Sequence, residues 1–202
     1  MNEQGSVILI SGPSGSGKDT ILEQVLLRYP ELKFSISNIT RARRSESDDL
    51  KYHFLTNEEF EQGIREGAYL EYAEYCGCYY GTPAKPVEDW RNQGYDVIIE
   101  CDVQGALQIM QKLPDAVSVF IMPPSVAVLR KRLSGRKTES PEQTERRIAT
   151  ALQEMQQADR YEYLVINDDL DDAVDQFCHI LEAQRAKVKR NTKFIQEVLK
   201  NA

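Results

Sequence analysis

The run Gly12-Pro13-Ser14-Gly15-Ser16-Gly17-Lys18-Asp19-Thr20 lies between an apolar stretch, Val7 to Ile10, and an amphipathic one, Ile21 to Leu27. Strand, tight turn and helix start in that order match the spacing G-x-x-x-x-G-K, in which backbone amides cradle a phosphate chain. Gly12, Gly15 and Gly17 permit positive φ, so successive N–H groups turn inward and form a concave nest of donors. The following helix adds partial positive charge at its N-terminus, and Lys18 adds a mobile full charge.

Asp19 stands where a Ser or Thr usually follows the lysine of this motif. A carboxylate there can hold Mg²⁺ directly or through water, and it also sets negative charge beside the phosphates. Thr20 falls one residue late for the hydroxyl's role.

With 202 residues, 41% hydrophobic and 28% charged, the chain can build one substantial core, and a single domain with insertions is expected. A net charge of −7 argues against a general nucleic-acid binder, which would carry a basic surplus. Met1 to Gly5 lacks the basic and apolar sections of a signal peptide, and no apolar run reaches membrane-span length, so no membrane association and a cytoplasmic location are expected. Cys76, Cys78, Cys101 and Cys178 form no C-x-x-C pair and no zinc spacing with His53 or His179, so no chemistry is assigned to them.

Strand candidates recur at Val7 to Ser11, Tyr95 to Cys101, Ala116 to Ile121 and Tyr163 to Ile166, with helical patterns between them. That alternation predicts an α/β fold with a parallel sheet and crossover helices. Ile21, Leu22, Val25, Leu26 and Tyr29 share one face of the first helix, which Pro30 closes. Further helices are expected at Ala84 to Asn92, Gln104 to Lys112, Ser125 to Leu133 and from Leu170 to Leu181. Between the first helix and Tyr95 the pattern changes: Phe34 to Ser37 and Lys51 to Leu55 alternate, Thr56-Asn57-Glu58-Glu59 forms a capping box, and Tyr69 to Tyr75 and Tyr79-Tyr80 read as strands. This block is too long for a connection and is expected to be a small sheet-rich insertion over the strand ends, where a second substrate would sit.

Arg130, Lys131, Arg132, Arg136 and Lys137 follow without an intervening acid, and Ser140-Pro141-Glu142-Gln143 then opens a helix that carries Arg146 and Arg147. In an acidic chain with a phosphate loop, such a run reads as an arginine-bearing lid that stabilises a phosphoryl-transfer transition state. Within the insertion, Thr40-Arg41-Ala42-Arg43-Arg44 supplies guanidinium forks for bidentate phosphate binding, with Tyr52 and Tyr80 as phenolic donors. Glu71, an acid in an apolar and aromatic strand, joins Ser37 and Thr82 as a set able to read a base edge. A carboxylate accepts two N–H bonds from N1 and N2 of guanine, and adenine offers no such pair.

The sequence resembles the guanylate kinase family over nearly its whole length. The matching signatures are Ser11 to Lys18, Thr40 to Arg44, Glu71 to Glu74, Tyr79 to Thr82, Asp102 to Gly105, Pro123 to Ser125, Arg132 to Arg136 and Ile166 to Asp169. The resemblance implies a P-loop NTPase-type parallel sheet flanked by helices, with a sheet-rich GMP-binding insertion and a helical lid. It divides one domain into a core of about 1–34, 84–129 and 156–202, an insertion of about 35–83 and a lid of about 130–155. It implies phosphorylation of GMP by ATP with Mg²⁺ bridging the terminal phosphates.

By the same resemblance, Ser37, Glu71 and Thr82 recognise guanine, while Arg41, Arg44, Tyr52 and Tyr80 hold the GMP phosphate. Lys18 and the loop from Gly12 to Thr20 hold ATP, and Asn167 is expected near its adenine. Arg132, Arg136 and Arg147 close over the transferring group. Asp102 helps to organise GMP or the water shell of the metal, and Glu100 contributes. Asn38-Ile39 and Ala42-Arg43 depart from the family's usual residues around Thr40-Arg41. Two rival readings fit parts of the chain. Gly17-Lys18-Asp19 resembles the loop of kinases acting on ribose bisphosphate, and a non-catalytic guanylate-kinase-like module would recruit protein partners. Glu71 with Thr82 argues against the first, and retention of Lys18, Arg132 and Arg136 against the second.

Overall fold

The structure, a computed structural model, describes residues 4–43, 52–75, 77–134 and 141–200. Its centre is β1 (Val7–Ser11), buried along its full length. A strand covered on both faces reads as a continuous apolar run, and this is the environment of a parallel sheet. β1 pairs in parallel with β7 (Val97–Glu100) on one side and β8 (Val117–Met122) on the other. β2 (Lys33–Phe34) lies outside β7 and β9 (Tyr163–Ile166) outside β8, giving the order β2-β7-β1-β8-β9.

Helices cover both faces. On one, α1 (Lys18–Arg28) and α7 (Leu170–Arg185) bring Ile21, Leu22, Val25, Val174, Phe177 and Leu181 against Ile8, Ile10 and Val119. On the other, α3 (Ala84–Asn92) and α4 (Val103–Lys112) bring Val87, Ala106 and Ile109 against Leu9, Val97 and Ile99. α5 (Val126–Ser134) packs on α6 (Pro141–Met155) through Leu129, Leu133, Ile148 and Ala151. α8 (Thr192–Lys200) follows at the end of the chain. No helix among the described residues is long and apolar enough to cross a membrane.

A second sheet, ordered β4-β3-β6-β5, is built from β3 (Ser37–Ile39), β4 (Tyr52–Phe54), β5 (Tyr69–Tyr75) and β6 (Cys78–Pro83). α2 (Asn57–Arg65) begins with the expected capping box: Thr56 Oγ1 accepts from the Glu59 amide at 3.2 Å, and the Glu59 carboxylate accepts from the Thr56 amide at 2.8 Å. Phe60 is fully buried and stacks between Tyr69 and Tyr79.

Two expectations need correction. Phe34 to Ser37 is not one strand of the inserted sheet: Lys33–Phe34 extends the core sheet, and Ser37–Ile39 belongs to the second one. Lys33 and Ser35 donate to the carbonyls of Asp96 and Ile98 at 3.0 and 2.9 Å, so the chain leaves the core only after Ser35. The strand expected from Tyr95 begins at Val97, because the Tyr95 amide closes the turn after α3 by donating to Trp90 O at 3.1 Å.

Asp96, at the start of β7, ties three segments together. Its side chain is 6% exposed; it accepts from the Ser6 amide at 2.9 Å, from Arg185 Nε at 3.1 Å and from Arg190 Nη2 at 2.8 Å. Removing the carboxylate would strand the mostly buried Arg190 guanidinium and leave Arg185, a third exposed, with Glu31 at 2.9 Å as its remaining carboxylate. Asp96→Ala is expected to lower unfolding free energy by about 2–4 kcal/mol. Urea denaturation checks this, and a loss below about 1 kcal/mol, the level of an exposed pair, would show that Asp96 is not a structural hub.

Candidate active site

The phosphate loop runs from β1 into α1. Gly12 has φ 146°, and a Cβ there would lie 2.3 Å from the Ile121 carbonyl oxygen, so any side chain would push the loop off β8. Gly17, at φ 91°, is the residue before α1, and its missing Cβ is replaced by the Asn167 carboxamide. Asn167 Nδ2 donates to Ser16 O at 2.7 Å, and Arg132 Nη1 donates to the same carbonyl at 3.3 Å. Arg132 Nη2 also donates to Asn167 O at 2.9 Å, so two residues distant in sequence hold the loop from behind.

Lys18 folds back over its own loop, donating from Nζ to Gly12 O at 2.7 Å and to Pro13 O at 3.4 Å. Arg147, on α6, donates to Ser14 Oγ. Arg132 and Arg147 therefore stand at the loop, whereas Arg136 lies outside the described residues, as does Arg44. Asn167 is 5% exposed, and its carboxamide is committed to the loop.

The loop opens into a cleft of about 700 Å³ that separates it from the inserted sheet. Gly12, Ser14, Lys18 and Asp19 form one wall, and Ser37, Tyr52, Glu71 and Tyr80 another. Glu100, Cys101 and Asp102 form the floor beyond the end of β7. Pro13, Gly15, Ser16, Gly17 and Thr20 complete the loop without lining the cleft among its described walls. Arg41 stacks 5.2 Å over the ring of Tyr52, a cation–π contact that brings its guanidinium to the edge of this wall.

Glu71 is the unusual member, a carboxylate at 6% exposure. It reaches the cleft because pairing between β5 and β6 shifts register between Tyr69 and Glu71. The irregularity lets adjacent residues both be buried, Leu70 in the core and Glu71 in the cleft. Glu71 then sits opposite Thr82, whose hydroxyl donates to Oε1 at 2.6 Å. A Cβ at Gly105 would lie 2.8 Å from Oε2, so the missing side chain lets the N-terminal turn of α4 approach the carboxylate. Asp102 caps that helix, accepting from the Gly105 amide at 2.7 Å.

Burial pushes the Glu71 carboxyl above the ordinary glutamate value; the Thr82 hydroxyl opposes the shift and the nearby Asp102 charge adds to it. Glu154, which sequence reasoning did not single out, reaches the cleft from α6. Burial raises its carboxyl too, against the attraction of Lys18. In the sequence it is one acid in an exposed helical pattern, and only packing of α6 beside the loop reveals it. Cys101 also lines the cleft, and burial pushes its thiol well up. Cys78, Cys101 and Cys178 are unpaired thiols.

A buried carboxylate has the acceptors for paired N–H donors, and one that faces a phosphate-type loop across one cleft suits a molecule with a base at one end and a phosphate at the other. The family model for guanylate kinase matches residues 4–184. This chain belongs to the guanylate kinase family. It is 43% identical to the guanylate kinase of Desulfitobacterium hafniense over 195 residues, covering 96% of this chain and 98% of the relative. With that of Neisseria meningitidis it shares 44% identity over 200 residues, covering 98% of each. Among solved structures, guanylate kinase from Anaplasma phagocytophilum superposes with a TM-score of 0.72 at 30% identity, covering 94% of this chain and 91% of that one. The family's P-loop fold, with its parallel sheet, flanking helices and inserted sheet, is the fold described above.

The raised Glu71 carboxyl fixes the sign of a pH effect. The folded state holds the proton more tightly than the unfolded state, so stability falls as pH rises from the unfolded to the folded titration point. Above that window the penalty is constant. Glu71→Gln keeps an acceptor for Thr82 and removes the charge. Urea unfolding across acidic to neutral pH is expected to show the variant gaining on the wild type as pH rises. A wild type that gains instead would mean the fold favours the ionised carboxylate.

Proposed function

We propose that the chain transfers the γ-phosphoryl group of ATP to GMP, giving ADP and GDP, and that the cleft between loop and inserted sheet is where the two nucleotides meet. The observation that carries this reading is the buried Glu71–Thr82 pair in the same cleft as Lys18. Ionised Glu71 accepts from N1 and N2 of guanine, with Ser37 and Thr82 beside it; adenine has no matching donors. Arg41, Arg44, Tyr52 and Tyr80 hold the GMP phosphate, and Asp102 borders the same site.

On the ATP side, Lys18 and the free amides of the loop take the β and γ phosphates. Arg132, Arg136 and Arg147 neutralise charge that develops on the transferring group. Asn167 enters this proposal through the loop: with its carboxamide bonded to Ser16, its part is to keep the nest in shape beneath ATP. A phosphate oxygen of GMP attacks the γ phosphorus and the bond to the bridging oxygen of ADP breaks. That oxygen is already a competent nucleophile, so alignment and charge neutralisation suffice without a general base. Closure of α6 and the inserted sheet over the cleft excludes water that would otherwise accept the phosphoryl group.

Among the described residues no group of three or more His, Cys, Asp or Glu side chains is arranged to hold a metal ion. Asp19 and Asp102 do line the cleft near the loop. That donor set fits Mg²⁺ carried mainly by ATP phosphates and water, with Asp19 or Asp102 touching its shell. Bound there, the ion would neutralise charge on the terminal phosphates. A cytoplasmic location belongs to the same proposal.

Glu71→Ala is expected to cost about 2–4 kcal/mol in discrimination of GMP from AMP, because the base loses its paired acceptor. Steady-state rates with GMP, AMP and ribose bisphosphate as acceptors measure it. Undiminished preference for GMP would remove Glu71 from base recognition, and preference for the sugar phosphate would replace the reading. Asp19→Ser, titrated with Mg²⁺, is expected to shift the metal concentration for half-maximal rate. An unchanged dependence would take Asp19 out of the metal's shell.

A further inference from the structure

At the other end of the core sheet, about 20 Å from the phosphate loop along β1, a second pocket of about 270 Å³ opens beside Ser6 and Val117. Four of its lining side chains are cationic, Arg91, Lys187, Lys189 and Arg190, and one, Asp115, is anionic. In a chain of net charge −7 this is a local reversal of sign.

Protein acceptors use only part of these cations. Arg91 is nearly buried, its side chain 9% exposed; Nε donates to Gly5 O at 3.0 Å and Nη2 pairs with Asp115 at 2.5 Å. Arg190 is held by Asp96 through Nη2 at 2.8 Å, while its Nη1 is buried with no hydrogen-bond partner among the described residues. Lys187 lies 3.9 Å from Glu162, the outer limit of an ion pair. Lys189 is exposed, and no carboxylate among the described residues is paired with it. A buried guanidinium N–H without an acceptor is costly, and an entering anion would relieve it.

We propose that this pocket binds a small phosphate-bearing anion. The buried Arg190 Nη1 without an acceptor, with lysine ammoniums at the rim, suits the several oxygens of a phosphate better than a single carboxylate would. The volume accommodates a phosphate with a small substituent. Lys187, Lys189 and Arg190 belong to the short turn after α7, whereas Ser6 immediately precedes the central strand β1 and Arg91 belongs to α3. An anion seated there ties the turn after α7 to the start of β1. The inference is independent of which nucleotides the cleft takes.

The test is a titration of the full-length, ¹⁵N-labelled chain with inorganic phosphate at ionic strength held constant with chloride, followed by amide NMR. Saturable shifts are expected at Gly5, Ser6 and Lys187 to Asn191, separate from those of the loop amides Ser14 to Lys18. Lys189→Gln, which breaks no side-chain hydrogen bond or ion pair among the described residues, should weaken the first set about tenfold, the worth of one charge-assisted contact. Arg190→Gln should abolish it and leave the loop response intact. Ribose 5-phosphate forms a second arm: tighter binding than phosphate at the same amides makes a phosphorylated metabolite the ligand, and weaker binding makes it the free ion. Shifts confined to the loop, shifts that chloride alone reproduces, or a Lys189→Gln titration identical to wild type would each overturn the proposal.

Discussion

A carboxylate removed from water is unfavourable unless its charge is satisfied or its proton retained. Glu71 is held in that condition by three elements at once. The register shift in β5 turns it inward, Thr82 supplies one hydrogen bond, and the glycine at position 105 admits the first turn of α4. The inserted sheet and the core are thus joined around a group whose bonding is incomplete. On the proposed reading a base edge with two donors would complete it, and stability and selectivity would then pull in opposite directions at this residue.

The second wall of the cleft is arranged differently. The phosphate loop gains its shape from contacts far away in sequence: Ile121 behind Gly12, Asn167 behind Gly17, Arg132 on Ser16. Asn167 and Arg132 both donate to the Ser16 carbonyl, so this support occupies a backbone acceptor of the loop. Lys18 rests on Gly12 and Pro13 carbonyls, positioned at the mouth where a phosphate would draw it away. Rigid support on one side and a mobile cation on the other combine preorganisation with adaptability.

Much of this could be read from residues alone, for identifiable reasons. Glycine spacing specifies backbone conformation, so the loop from Gly12 to Lys18 was legible, and the capping box at Thr56 marked α2 by local chemistry. Glu71 stood out because acids seldom interrupt aromatic strands. What escaped depends on packing between distant segments. The two-residue strand Lys33–Phe34 is too short to show periodicity, and its membership of the core sheet follows from bonds to Asp96 and Ile98. Glu154 looks like any solvated helical acid until α6 is laid beside the loop. The Asn167 carboxamide faces the backbone of Ser16, a contact no spacing rule encodes.

The central proposal is that a guanine base is read by the buried Glu71 carboxylate while its phosphate is held on the same wall by Arg41, Tyr52 and Tyr80, facing the loop. Crystals of the chain grown with GMP would examine that statement atom by atom. The expected electron density has N1 and N2 of the base within hydrogen-bond distance of the Glu71 carboxylate, and the phosphate beside Tyr52, Tyr80 and Arg41. GMP bound with its base away from Glu71, or seated with its phosphate reversed into the loop as its sole site, would contradict it.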